Sequence, residues 1–152
     1  MLDNRFSLDE SVAYAIARTG KAIKFELRRY FREAGIDITS EQYALLCRLW
    51  EKEGRSQKEL AECSFKDTAN ITRMIDVLEG KGVVYRERDP KDRRTYRIYL
   101  TQRGKELKET VTPIVLAQGE RAYSCLTEKE QRSLLDMLNR LYNHISYMRD
   151  NG

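Results

Sequence analysis

Four times along this chain a Ser or Thr is followed three residues later by Glu or Gln: Ser7…Glu10, Thr39…Gln42, Ser56…Glu59 and Thr127…Glu130. Each pair precedes apolar residues at helical spacing. This is the capping-box pattern, in which hydroxyl and carboxyl side chains satisfy backbone N–H groups that the first helical turn leaves without partners. Four such starts commit most of the chain to helix. They predict helices from about Leu8 to Ala34, Ser40 to Lys52, Gln57 to Cys63 and Glu128 to Met148. The first carries the stripe Leu8, Val12, Ile16, Ile23, Leu27 and Tyr30, with Gly35 as its stop. A helix from Thr101 to about Tyr123 contains Pro113, which predicts a kink or a break there.

Between the second and third of these starts and Gly104 the pattern changes. A short helix, a turn at residues 64–66 and a helix over Asp67–Glu79 form a helix-turn-helix. Val83, Val84 and Tyr85 then read as strand, Asp89-Pro90-Lys91-Asp92 as a turn, and Thr95–Leu100 as a half-buried strand of alternating character. The predicted hairpin carries Arg86, Arg88, Lys91, Arg93, Arg94 and Arg97 around its tip. On the helix before it, Ile71, Met74, Ile75 and Leu78 share one face, leaving Ala69, Asn70, Thr72, Arg73 and Asp76 pointing outward. Asn and Arg can read base edges in a major groove, and Lys66 and Thr68 sit at the helix N-terminus, where such helices approach the bases. An Asp92-Arg93-Arg94 tip lets a carboxylate orient a guanidinium, which suits a narrow minor groove. The fold class is therefore mainly α with a small β-hairpin wing: a winged helix-turn-helix flanked by long helices.

Charge follows the same division. The net charge is +4, yet residues 52–105 hold fourteen Lys and Arg against nine Asp and Glu, and residues 81–105 hold nine against three. The positive excess lies on the proposed reading elements, where it attracts phosphate. The three cysteines, Cys47, Cys63 and Cys125, are far apart and there is one histidine, so neither a metal site nor a disulfide framework is expected. No catalytic pair and no phosphate-cradling glycine loop is visible, so neither an enzyme nor a cofactor is expected. The first ten residues are acidic and lack an apolar run, and nothing approaches a membrane span of ~18 apolar residues, so a cytoplasmic protein with reduced thiols is expected.

The run from Leu45-Leu46 through Leu60-Ala61, Ile71-Thr72-Arg73-Met74-Ile75-Asp76-Val77-Leu78-Glu79-Gly80-Lys81-Gly82-Val83-Val84, Arg88-Asp89-Pro90-Lys91-Asp92-Arg93-Arg94 and Leu100-Thr101-Gln102-Arg103-Gly104 resembles the MarR family of bacterial transcriptional regulators. The resemblance implies a triangular homodimer. Residues 36–104 form its DNA-binding lobe, and residues 1–35 and 105–152 form the helical dimerisation region. It implies a major-groove set of Lys66, Thr68, Asn70, Thr72 and Arg73, and a wing set of Arg88, Arg93, Arg94 and Arg97, with Asp92 supporting Arg94. Two lobes on a two-fold axis would read a pseudo-palindromic operator in double-stranded DNA with half-sites ~34 Å apart. It further implies repression relieved by a small aromatic or phenolic effector, for which Tyr14, Arg18, Phe25, Tyr43, Arg48 and Trp50 are the pocket candidates.

The apolar residues of the terminal helices support a dimer independently. Phe6, Leu8 and Val12 at one end and Leu138, Leu141, Ile145 and Met148 at the other exceed what a small lobe can cover. Two other readings compete: a winged-helix protein–protein adaptor, and a regulator switched by cysteine oxidation. The outward polar face of the reading helix and the basic hairpin argue against the adaptor. The resemblance implies that a cysteine-sensing member would carry its reactive cysteine in the first helix, and this chain has none there, which argues against the redox switch; Cys47 is expected to be a small buried apolar residue.

Overall fold

The computed structural model describes residues 7–64 and 67–152. Its elements run in the order α1 (Val12–Glu33), α2 (Ser40–Glu51), β1 (Arg55–Ser56), α3 (Gln57–Ser64), α4 (Thr68–Gly80), β2 (Val84–Arg88), β3 (Tyr96–Leu100), α5 (Gln102–Ala122) and α6 (Glu128–Asn151). The chain forms two compact units, one ending at Val115 and one spanning Leu116–Gly152.

Three of the four capping boxes form. Thr39 with Gln42 opens α2 and Thr127 with Glu130 opens α6. Before α3, the Glu59 amide donates to Ser56 Oγ at 3.1 Å while the Ser56 amide donates to Glu59 Oε2 at 2.9 Å. The first box does not start a long helix. Ser7 precedes a single 3₁₀ turn, Leu8–Glu10, without a side-chain cap, and Ser11 caps α1 by accepting from the Tyr14 amide. The turn places Ser11 in extended backbone, the conformation an N-cap needs, four residues later than the sequence pattern predicts. α5 continues through Pro113 without interruption, so the break allowed for at that residue does not occur.

The first unit is built around Phe31, Leu45, Leu46, Leu49, Leu60, Ile71, Ile75, Leu78, Ile98 and Val111, which are fully buried. These come from helices α1 to α5 and the sheet, so one apolar core fixes the helix-turn-helix against its wing. Sheet order is β1-β3-β2, antiparallel throughout, with Val84 opposite Leu100, Arg88 opposite Tyr96 and Arg55 opposite Ile98. β1 has no counterpart in the sequence reading. It exists because Gly54, at φ 75°, turns the chain so that its amide reaches the Ile98 carbonyl at 2.9 Å.

The end of the wing is tied down by Thr101 and Gly104. Thr101 Oγ1 donates to the Gly82 carbonyl at 2.6 Å and accepts from the Gly104 amide at 3.0 Å, capping α5. A Cβ at Gly104 would sit on the Val83 carbonyl oxygen and 3.2 Å from Leu100 Cδ2. The Leu-Thr-x-x-Gly motif thus marks where a helix start meets a strand backbone. Trp50 closes this corner by donating its indole N–H to the Gly104 carbonyl at 2.9 Å.

Candidate nucleic-acid interface

α4 begins where Asp67, in extended backbone, accepts from the Asn70 amide at 2.8 Å. Ile71, Ile75 and Leu78 then face the core, leaving Thr68, Ala69, Asn70, Arg73, Asp76 and Val77 exposed. A relay runs along this face. Asp67 Oδ2 accepts from Asn70 Nδ2 at 3.0 Å, and Asn70 Oδ1 accepts from an Arg73 guanidinium nitrogen at 3.1 Å. The carboxylate thereby orients Arg73 through an amide. Thr72 differs from the outward reading: it is half-buried, donates to the Thr68 carbonyl at 2.9 Å and accepts from Gln57 Nε2 at 2.7 Å. It joins α4 to α3. Lys66 lies outside the described residues.

The wing tip is organised by two aspartates. Asp89 is buried; its Oδ1 accepts from the amides of Lys91 at 2.7 Å and Asp92 at 3.2 Å, and its Oδ2 accepts from Arg97 Nε at 2.6 Å. The Lys91 amide, then the Arg97 guanidinium, hold its carboxyl below the usual carboxylate range. Asp92 accepts from the Arg94 amide at 3.1 Å and from Thr95 Oγ1 at 3.2 Å, with a longer ion pair of 3.5 Å to Arg94 Nε. The Arg94 side chain is 94% exposed. Arg93 is exposed beside it. Arg88 braces the tip from one strand, donating to the Arg93 carbonyl at 2.7 Å and lying 5.1 Å from the centre of the Tyr96 ring.

Two basic residues of the hairpin point inward. Arg97 pairs with Asp89 and donates to the Gly54 carbonyl at 2.7 Å, tying β3 to the turn before β1. Arg86 lies on β2, away from the tip, with 16% of its side chain exposed. It pairs with Asp76 at 2.5 Å and Glu79 at 3.0 Å on α4. The sequence pattern puts both in the basic tip, because their partners lie outside the run that carries them or, for Asp89, read as turn chemistry. Sequence reasoning also missed Asp67, whose N-cap position was the available signal, and Gln57, for which there was none.

The pocket candidates lie on α1, with Tyr14, Arg18 and Phe25, and on α2, with Tyr43, Arg48 and Trp50. Tyr43 packs between Phe31, tilted at 5.7 Å, and Trp50, edge-on at 6.1 Å. Burial pushes its hydroxyl, and the neighbouring Cys47 thiol, upward in pKa. Cys47 is half-buried. Trp50 is committed to Gly104, and Arg48 pairs with Glu51 at 3.2 Å. On α1, Arg18 lies over the Tyr14 ring at 5.4 Å, and Phe25 is 66% exposed. Leu8 and Val12 at one end and Leu138, Leu141, Ile145 and Met148 at the other are exposed; Phe6 lies outside the described residues.

The MarR family model matches residues 38–96, a segment that contains α2, β1, α3, α4, β2 and the wing tip. The chain is 34% identical to the HTH-type transcriptional regulator TtmR of Methylorubrum extorquens, over 90% of this chain and 68% of that protein. It is 30% identical to the HTH-type transcriptional regulator YkoM of Bacillus subtilis, over 87% and 84% of the two chains. Among solved structures it is similar to the transcriptional repressor CouR bound to a 23-mer DNA duplex, with TM-score 0.82, 27% identity and coverage of 89% and 94%. Among the described residues no helix is long and apolar enough to cross a membrane.

Proposed function

The chain belongs to the MarR family of transcriptional regulators, and on that premise we propose that it is a homodimeric repressor that binds a pseudo-palindromic operator in double-stranded DNA. The observation that carries this reading is the pairing of two exposed guanidinium groups on one compact lobe. Arg73 is oriented on α4 through Asn70, and Arg94 projects from a wing held by Asp89 and Asp92. Thr68, Asn70 and Arg73 are the major-groove set, with Lys66 beside them in sequence; Arg93 and Arg94 are the wing set. Thr72 and Arg97 serve these as half-buried supports, because their polar atoms are already engaged, and the exposed Arg88 braces the tip through the Arg93 carbonyl. A DNA-bound repressor of the same fold supports the choice of ligand and of sign.

The dimer is formed by segments 1–35 and 105–152, whose exposed Leu138, Leu141, Ile145 and Met148 are unlike a free surface. A small aromatic or phenolic effector that releases the DNA is part of the proposal. Its support is Phe25, Tyr14 and Arg18 on the exposed side of α1. The location is cytoplasmic, where the operator would be. At Cys47 the cysteine-switch alternative is disfavoured, because burial raises that thiol and leaves little of the reactive thiolate.

Selection of bound duplexes from a random pool, followed by salt titration of the winner, tests the proposal. Expected is an enriched pseudo-palindrome whose binding constant falls steeply with salt, as phosphate neutralisation requires. Weak binding at low salt without enrichment would move the chain to the adaptor reading.

A further inference from the structure

We propose that Arg86 is the positioning residue that sets the wing at a fixed angle to the recognition helix, so that α4 and the wing act as one reader. This rests on the DNA-binding reading above. The guanidinium sits where three elements meet. Its Nε donates to Gln57 Oε1 of α3 at 3.4 Å, and one terminal nitrogen donates to Glu79 Oε1 at 3.0 Å. The other donates to Asp76 Oδ1 at 2.5 Å and to the Thr72 carbonyl at 3.5 Å. The Arg86 amide adds a bond to Glu79 Oε2 at 3.2 Å, so main chain and side chain of β2 clasp the same carboxylate. Gln57 completes the circuit by donating to Thr72 Oγ1 at 2.7 Å.

An isolated surface ion pair contributes little to stability, but a half-enclosed, multidentate guanidinium network fixes geometry. Here the geometry that it fixes is functional. Arg73 and Asp76 stand on the exposed side of α4, and β2 leads directly into the tip that carries Arg94. Arg86 also neutralises two carboxylates, Asp76 and Glu79, on the element that must approach phosphate. A lysine cannot do the same, because a point charge on a flexible stem has no fork to bridge both acids and the amide.

Asp76→Asn separates the brace from simple charge. Asp76 has 58% of its side chain exposed, so the substitution leaves the core untouched and a thermal melt serves as the folding control. Removing an exposed carboxylate from a DNA-facing helix ordinarily tightens binding. Loss of the brace instead weakens specific binding, on the order of tenfold. Equal or tighter binding by Asp76→Asn overturns the proposal. The second measurement is a double-mutant cycle of Arg86→Lys with Arg94→Ala on the selected operator. If Arg86 acts by aiming Arg94, the Arg94→Ala loss shrinks severalfold in the Arg86→Lys background. Full additivity, or wild-type affinity for Arg86→Lys alone, overturns the positioning role. Failure of the wild-type chain to bind any duplex would strike the DNA-binding reading itself, and so is distinct from either result.

Discussion

Arg94 projects from the wing with 94% of its side chain exposed, anchored through its own amide and a long ion pair to Asp92. Such a group loses little in stability when truncated, yet on the proposed DNA-binding reading it enters a narrow minor groove, where the potential is most negative. Arg94→Ala is expected to fold normally and to bind the operator roughly tenfold more weakly, with a salt slope reduced by about one. Titrations at two salt concentrations check both, and wild-type binding would remove the wing from the interface. Gly104 shows the opposite economy, structural and unexposed. A Cβ there meets the Val83 carbonyl oxygen, which is backbone and cannot swing aside, and the shift would break the Trp50 indole bond. Gly104→Ala is expected to destabilise the fold by about 2 kcal/mol, within the range for overpacking. Denaturant unfolding followed by Trp50 fluorescence measures it; an unchanged midpoint would mean that α5 can start elsewhere.

The wing depends on an ionised Asp89. Its pKa is depressed in the folded chain, so its contribution is fully present above the ordinary carboxylate range and is lost as pH falls through the lowered folded value. The expected behaviour is a wing that is intact at neutral and mildly acidic pH and loosens only below the ordinary carboxylate range. Protection of the Lys91 and Asp92 amides, followed by NMR against pH, reports it. Asp89→Asn should leave both amides weakly protected at every pH, and an unaltered profile in that variant would show that the turn holds without the charge. The same elements show how far the sequence could be read. Helices with a box and a stripe were legible because capping and periodicity are local. The Ser7 box was misleading because Ser11, which lacks the paired acid, offered a better-placed cap for the same helix. β1 was invisible because two residues carry no period, and it exists only through pairing with β3. Of the site, the outer face of α4 and the Asp-Arg-Arg tip were legible; the inward turn of Arg86 was not, since its acids lie seven and ten residues away on another element.

At the scale of the molecule, α6 is a 24-residue helix with no buried residue of its own, although it carries Leu134, Leu135, Leu138, Leu141, Tyr142, Ile145 and Met148. Leu134, Leu138, Leu141, Ile145 and Met148 recur at steps of four, three, four and three, a continuous stripe along a helix about 36 Å long. A stripe of that length is the signature of a face that another helix covers. A second copy is the partner that a two-fold operator reader needs. Replacing Leu141 and Ile145 with Glu places charge in the stripe without removing core packing, because both side chains are already exposed in the single chain. The double variant is expected to be folded and monomeric by sedimentation. It should bind the full operator ~100-fold more weakly, since tethering two lobes makes the second half-site contact intramolecular. Its affinity for an isolated half-site should match the wild-type lobe. A variant that stays dimeric would move the interface to other residues. A monomer that keeps full operator affinity would mean that one lobe suffices, and the two-fold reading of the operator would have to be abandoned.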